Sequence, residues 1–532
     1  MRSKLAAVLL LGGLMASPAR AEQSDGLLQA MREELTRSVS QLQMAGQARP
    51  YFIQYSVSDL VNHEFRARDG ALLRSISTHT RPAVVEVRVG SYSEDALGEF
   101  TGDEQMVVED DLTALRHYLW LSTDEAYREA LQGLARKKIR PKPKASLGVN
   151  DFSPTPKVVR IEPVLSQTVD QAFWEDRVRK LSAVGTAFPA ILRSRVSAGL
   201  AVSTRYLLNS EGTELRESEP LVKVSVVLEA EGPDGSPVTQ AVTFSAREPK
   251  DLPDEAEMIR QTREACEQLL ARLKAPTLSE EYLGPVLFVG TAAGNLFGEV
   301  LVPLMSPSSE RLLKQVLPVA ISVVDDPTLH KLGGLNLMGA CSIDDEGVEV
   351  HRLTLIDRGK LVNLLSNRKP TKAAKGSNGR GRSAGIETGL TGVLPTNLVV
   401  TTTEGKSFAE LKRLLLQRCR EEGLSEGMIV RASGPPDARS GYGGVAPLYY
   451  RVSVETGKEE LIQGVHRENL NLRGLRRLLA LGNEAAVTNY VLLPNSFSIV
   501  SPSLLLGELQ VTPNPDTNTE RLLLPPPQRT PR

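Results

Sequence analysis

Residues 284 to 304, GPVLFVGTAAGNLFGEVLVPL, constrain the fold more than any other stretch of this chain. Val286, Leu287, Phe288 and Val289 form a short apolar run of strand length, closed by Gly290. From there the period changes. Ala293, Leu296, Phe297, Val300, Leu301 and Leu304 recur at helical spacing and make one apolar face, with Thr291 placed to cap the helix. A strand feeding straight into an amphipathic helix commits this region to helix packed on sheet. At about 100° per residue Glu299 falls well off the apolar face, where a solvated glutamate is ordinary.

The N-terminal half predicts a helix near residues 25 to 44, then strands such as YFIQYSVS from Tyr51 and AVVEVRVGSY from Ala83. Val85, Val87 and Val89 point one way and Glu86 and Arg88 the other, as in a sheet with one covered face. Residues 114 to 139 read as helix, with a capping box at Ser122 and Glu125 and an apolar stripe of Ala126, Tyr127, Ala130, Leu131 and Leu134. Trp120 and Tyr127 are assigned to the core. Residues 142 to 163, rich in proline and lysine, connect two parts of this domain. A strand from Leu221, a Pro-Asp-Gly turn at 233 to 235 and the returning VTQAVTFSA make a hairpin. A long helix from Asp254 follows, with Ile259, Leu269, Leu270 and Leu273 inward, and a domain boundary is placed near residue 278. Further on, residues 342 to 366 give a turn and two strands joined around Arg358 and Gly359, and Ser407 with Glu410 caps a helix running to about Glu422. Strands at 449–454, 461–465 and 498–511 follow, and 514–532 reads as a disordered tail.

Residues 1–21 have the three parts of an export signal: Arg2 and Lys4, an apolar core from Leu5 to Met15, and small residues at Ala19 and Ala21. Cleavage is expected before Glu22, which places the mature chain outside the cytoplasm, in the periplasm. No later segment is apolar enough to span a bilayer. Lys plus Arg total 63 against 64 Asp plus Glu, so no overall field draws nucleic acid. The densest basic run, RKKIRPKPK at 136–144, contains two prolines and reads as a solvated linker.

A metal or nucleophile site is hard to assemble from this sequence. The six histidines, at 63, 79, 117, 330, 351 and 466, never stand three or four apart. Cys266, Cys341 and Cys419 form no CxxC, allow at most one internal disulfide, and make no disulfide scaffold. No GxSxG occurs. The turn Asp344, Asp345, Glu346, Gly347 is not followed by EF-hand spacing, so it reads as the start of a hairpin rather than as a calcium loop. The loop KAAKGSNGRGRS, residues 372 to 383, has glycines and cations without the order of a P-loop. Its composition predicts mobility, and in a cleft-bearing architecture such a loop could lie over the substrate as a lid or gate.

Several of these segments, in this order, carry a resemblance. The strand and helix at 284 to 304, the DDEG turn at 344–347 with its strand pair, the loop Ser377, Asn378, Gly379, Arg380, Gly381, Arg382 and the closing strand at 498 to 511 together resemble the TldD/PmbA family. The tryptophan-containing segment before Asp124, Glu125, Ala126 and Tyr127 is similar too. Metal-binding members carry HExxxH on the helix that here reads Gly298, Glu299, Val300, Leu301, Val302, Pro303, and a further cysteine near the C-terminus, where residues 489 to 511 hold none. Arg380 stands where the family's SNGHGR-like loop has histidine.

The resemblance implies a two-domain α+β fold, an N-terminal α/β domain over 22–278 and a C-terminal β-rich metalloprotease-like domain over 279–513. It also implies a cleft for unfolded peptides and a dimer, either of two copies or with a TldD-like subunit that carries HExxxH. Zinc is the cofactor of metal-binding relatives, and none is expected here. Glu299 would be a vestigial general base. Three functions stay open: a metal-less peptide-binding subunit of an exported peptidase, an active metallopeptidase with unrecognised ligands, and a stand-alone peptide-binding or scaffold protein of the cell envelope.

Overall fold

The computed structural model describes residues 25–100, 106–139, 148–232, 235, 237–383, 391–431, 447–467, 469–491 and 495–514. The export signal, residues 233 and 234 of the expected turn, 140–147 of the connecting stretch and the tail beyond 514 lie outside the described residues.

The N-terminal part comprises α1 (Gly26–Gln41), β1 (Pro50–Arg68), β2 (Ala71–Thr80), β3 (Ala83–Ser91), β4 (Glu94–Phe100), α2 (Leu112–Ile139), β5 (Val159–Ile161), α3 (Gln171–Val184), β6 (Ile191–Asn209), β7 (Glu214–Glu231), β8 (Pro237–Ala246) and α4 (Glu255–Lys274). Its sheet runs β4-β3-β1-β6-β7-β5, with β2 beside β1 and β8 beside β7. Strand alternation gives this sheet two different faces. On one, Tyr55 and Val57 of β1 and Leu208 of β6 pack with Leu27, Met31, Leu115 and Tyr127 of α1 and α2. Further along the same strands Phe65 and Ala198 meet Val178, Leu181, Cys266 and Leu269 of α3 and α4. On the other face Leu207 and Leu215 pack against Ile343 of the C-terminal part.

Two expectations for α2 are corrected. The helix is continuous from Leu112, so Ser122 is not a cap; its hydroxyl donates to the Tyr118 carbonyl one turn back at 2.8 Å. The first turn is held instead by Asp111, whose carboxylate accepts from Ala114 N at 2.7 Å. Tyr127 is core as expected, but Trp120 is 44% exposed and tilts against His117 on the outer side of the helix. In α4, Leu269 is buried as expected, with Met258, Ala265 and Cys266 sharing the inner face.

The C-terminal part comprises β9 (Tyr282–Val289), α5 (Thr291–Leu304), β10 (Ile321–Asp325), β11 (Lys331–Leu332), β12 (Leu335–Asn336), β13 (Leu353–Asp357), β14 (Lys360–Leu361), β15 (Gly381–Ser383), β16 (Thr391–Val393), β17 (Asn397–Thr402), α6 (Phe408–Glu421), β18 (Glu426–Arg431), β19 (Leu448–Ser453), β20 (Glu459–Ile462), β21 (Val465–Arg467), α7 (Leu472–Leu475), β22 (Leu478–Tyr490) and β23 (Phe497–Pro513). Its main sheet runs β14-β13-β10-β17-β23-β9-β18-β19-β20, with β21 and β22 also on β23. The sheet is covered on both faces. Val286 and Phe288 pack with α5, while Leu287 between them packs with Leu411, Leu415 and Cys419 of α6. That explains why β9 reads as an unbroken apolar run. The β13–β14 turn has positive φ at Arg358 and Gly359, and Ser407 and Glu410 form a reciprocal capping box, both as expected. The two parts together are an α+β fold.

Gly98 marks the closest approach of strand to helix in the N-terminal part. A Cβ there would stand 1.8 Å from the backbone oxygen of Ala126. Gly98→Ala is expected to destabilise the protein by about 3 kcal/mol or more, measured by urea unfolding; a loss no larger than that of an ordinary surface substitution would contradict this contact.

Candidate functional site

Helix α5 enters from Gly290, whose φ of +62° a side chain would strain, so Thr291 opens the helix rather than capping it. Gly294 and Gly298, one turn apart, let the β22–β23 hairpin lie directly on the helix. A Cβ at Gly294 would stand 2.2 Å from Thr488 Oγ1, and one at Gly298 2.8 Å from Ile499 Cδ1 and 2.9 Å from Tyr490 Oη. Tyr490 itself stacks on Phe497 at 4.3 Å and hydrogen-bonds the Asn295 side chain. The apolar cover on α5 is therefore wider than a single stripe.

Glu299 is not the solvated residue its helical position suggested. Its side chain is 15% exposed and forks onto Arg467 of β21, with Oε2 at 2.7 Å from Nη2 and Oε1 at 3.3 Å from Nη1. The Leu470 backbone N–H also donates to Oε1. Both oxygens are thus occupied. Burial opposes the charge on Arg467, but Glu299 and Tyr449 outweigh it and hold the guanidinium above its ordinary pKa. The Glu299 oxygens serve as the acceptors that tie α5 to β21 and to the Leu470 backbone.

Zinc does not fit these six positions. The first would need an imidazole where Gly298 has no room for a methyl group, and the last is Pro303, exposed at the helix end. His63 of β1, His79 of β2, His117 of α2 and His466 of β21 stand on separate elements, and His330 and His351 lie in loops. Among the described residues no three of His, Cys, Asp or Glu converge as a metal site. All three cysteines are free thiols.

The other two sequence motifs meet at the joint between the two parts. The Asp345 N–H donates to the Gly381 carbonyl at 2.9 Å, and the Gly381 N–H to Asp344 Oδ2 at 2.9 Å. Asp344 Oδ1 accepts from the Glu346 and Val348 N–H groups at 3.0 and 2.9 Å, which shapes the turn, while Gly347 takes a φ of +78° beneath Thr213. Asp345 reaches outward to Arg205 of β6 at 2.6 Å and to Asn495 at 2.8 Å. Glu346 accepts from the Arg368 backbone N–H at 2.6 Å.

The loop expected to be a mobile lid is tied down instead. Asn378 exchanges bonds with the Ser366 N–H and the Leu364 carbonyl, and the Ser377 hydroxyl accepts from the Gly379 N–H. Gly379 has a φ of +78°, with the Glu349 carbonyl 2.5 Å from where a Cβ would be. Arg380 is buried, pairs with buried Asp325 at 2.9 Å and donates to the Asn378 and His351 carbonyls. Arg382 is also buried and donates to Asn495 Oδ1 at 3.0 Å.

Arg205, Arg368 and Asn495 complete this joint and were missed in the sequence. Arg368 is fully buried, pairs with Glu211 at 2.7 Å, donates to the Ser153 carbonyl and lies over the rings of Phe152 and Phe52. A single arginine within the apolar run LAVSTRYLL was a signal that could have flagged Arg205; nothing local marked Arg368.

Burial pushes the Asp344 carboxyl up to about 6 against the pull of its backbone donors, and burial with repulsion from Asp344 raises Glu346 well above the usual range. A raised folded-state pKa contributes stability that is present below the unfolded value and is lost as pH rises through the folded one. The Tm of Glu346→Gln minus that of the parent is therefore expected to grow between pH 5 and pH 8. A difference that is flat or falls with pH would contradict the assignment. For the α5 pair, Arg467→Met is expected to cost about 3 kcal/mol by leaving Glu299 without its cation. Adding Glu299→Leu should recover much of it, read by denaturant unfolding.

Comparison with known proteins places this geometry. Residues 274–513 match the family model described as the PmbA/TldA metallopeptidase C-terminal domain. A curated relative, a metalloprotease of Archaeoglobus fulgidus, is 30% identical over 111 residues, a match covering 21% of this chain and 23% of that protein. The fold is similar to that of TldE from Thermococcus kodakarensis, with a TM-score of 0.60 and 14% identity over 91% of this chain and all of that one. It is similar as well to that of a Thermotoga maritima protein described as a modulator of DNA gyrase, with a TM-score of 0.59 and 19% identity over 87% and 96% of the two chains. Residues 274–513 belong to the TldD/PmbA family as its C-terminal domain, and the chain as a whole shares the fold of these two solved structures.

Proposed function

We propose that this protein is a non-catalytic, peptide-binding subunit of an exported TldD/PmbA-type peptidase, working beside a relative that holds the metal. The observation that carries the reading is the packing of α5. Gly298 lies beneath Tyr490 and Ile499, and Glu299 is neutralised by Arg467. Peptide hydrolysis by this family's route needs a metal-polarised water and an available base. This helix uses both positions for structure.

The export signal at 1–21 supports a site of action beyond the inner membrane, and no helix among the described residues is long and apolar enough to cross one. Loss of the metal ligands from α5 with retention of the fold suits a partner subunit that supplies cleft walls and peptide contacts.

The test is to coexpress the mature chain, without a histidine tag, with an exported family member carrying HExxxH. Copurification as one complex is expected, with zinc confined to the partner and peptide cleavage requiring it. About one zinc per copy of the present chain purified alone, or two proteins that never associate, would overturn the reading. A stable monomer that binds peptide without a partner would select the stand-alone alternative.

A further inference from the structure

The joint between the two sheets encloses a cavity of about 100 Å³, walled by β6 and β7 on one side and by the 340–345 segment, Arg382 and Asn495 on the other. Three arginines line it. Arg205 is held by Glu217 and Asp345, and Arg247 by Glu219 and two backbone carbonyls. Among the described residues Arg382 has neither kind of partner. Its Nε donates to the neutral amide oxygen of Asn495, and its Nη1 is buried with no hydrogen-bond partner.

This sets Arg382 apart from the rest of the molecule. Six arginines are buried among the described residues: Arg81, Arg177, Arg216, Arg368, Arg380 and Arg382. Five have a carboxylate within 4.0 Å, namely Asp59, Glu255, Asp25, Glu211 and Asp325 in that order. Arg382 is the one without, and it is only 5% exposed. The nearby Cys341 supplies no counter-charge, because burial raises its thiol pKa and keeps it neutral. A buried cation is costly without an anion, and a guanidinium presents parallel N–H groups that match the two oxygens of a carboxylate.

We propose that the cavity takes a carboxylate, bound to the open edge of Arg382, and that a peptide delivers it. The anion site rests on Arg382 and its cavity alone; the choice of a peptide as carrier rests on the function proposed above. The carboxylate would come from a chain terminus or from an acidic side chain. Arg382 then positions the peptide across the joint and takes no part in bond cleavage.

Isothermal titration of the full mature chain at constant ionic strength tests this, with acetyl-trialanine as the free acid, its C-terminal amide, acetyl-Ala-Asp-Ala-amide, acetate and inorganic phosphate as probes. Binding of the free acid is expected, weakened about tenfold or more in Arg382→Gln and less in Arg382→Lys. Preference for the free acid over the Asp-containing amide assigns the terminus, and the reverse assigns the side chain. Equal binding of acid and plain amide, unchanged binding by Arg382→Gln, or binding of phosphate alone would overturn the proposal. If acetate binds through Arg382 while no peptide does, the anion site stands and the peptide-binding reading fails. Should Arg382→Gln not fold, modification of Arg382 by phenylglyoxal, read by mass spectrometry, replaces it. Protection by the free acid supports the site, and none overturns it.

Discussion

The two parts of this protein are joined by arginines whose charge is carried into the interface and met there. Arg205 rises from the N-terminal sheet into the DDEG turn and bonds both Asp345 and the Ile343 carbonyl. Arg368 enters from the opposite side, its guanidinium between Glu211 and two phenyl rings. Each crossing couples a long-range ion pair to a backbone acceptor, so the relative placement of the sheets is fixed by geometry as well as by apolar area. Buried ion pairs of this kind add little net stability over apolar packing, since desolvation takes back most of the attraction. What they contribute is register. In the turn at 344–347 Asp345 meets Arg205, while Asp344 and Glu346 accept backbone N–H groups of the turn, of Gly381 and of Arg368, so a shift would strand several acceptors at once.

The same logic, applied to α5, shows why its chemistry cannot be restored by small changes. A helix that carries metal ligands must leave space around them for the ion and its water. Here that space is filled by the β22–β23 hairpin, which approaches closely enough that a Cβ at 294 or 298 would stand 2.2 or 2.8 Å from its side chains. Glu299 is retained, but Arg467 and the Leu470 amide hold it as a structural anchor for β21 and the start of α7. Reinstating histidines at 298 and 303 would leave this packing in place and clash with it.

Much of this was legible in the sequence, and the exceptions have specific causes. Strand alternation in β3, the β13–β14 turn and the capping box at Ser407 are local features, so local patterns reveal them. The continuous α2 was misread because Ser122 and Glu125 match a cap in isolation; tertiary packing of Leu115 and Leu119 on the sheet extends the helix through them. Trp120 was assigned inward on hydrophobicity, and it stands two helical turns before buried Tyr127, yet in the fold it is exposed beside His117. Glu299 was read as solvated because helical position says where a side chain starts and not what folds over it. The loop at 372–383 was read as mobile from its glycines and cations. In the fold Arg380 and Arg382 find Asp325 and Asn495, which are 55 and 113 residues away in sequence, and no local pattern contains that information.

One hairpin connects the two regions. Tyr490, at the end of β22, seals Gly298, while Asn495, just before β23, holds Arg382 and Asp345. The segment that closes the metal position on α5 therefore also furnishes a wall of the interdomain cavity. Asn495 is buried, and its amide has one orientation toward the joint. That orientation directs its oxygen to Arg382 and its nitrogen to Asp345. Arg382 thus meets an amide oxygen rather than a carboxylate on that wall, which is the condition for a buried guanidinium to take an external anion.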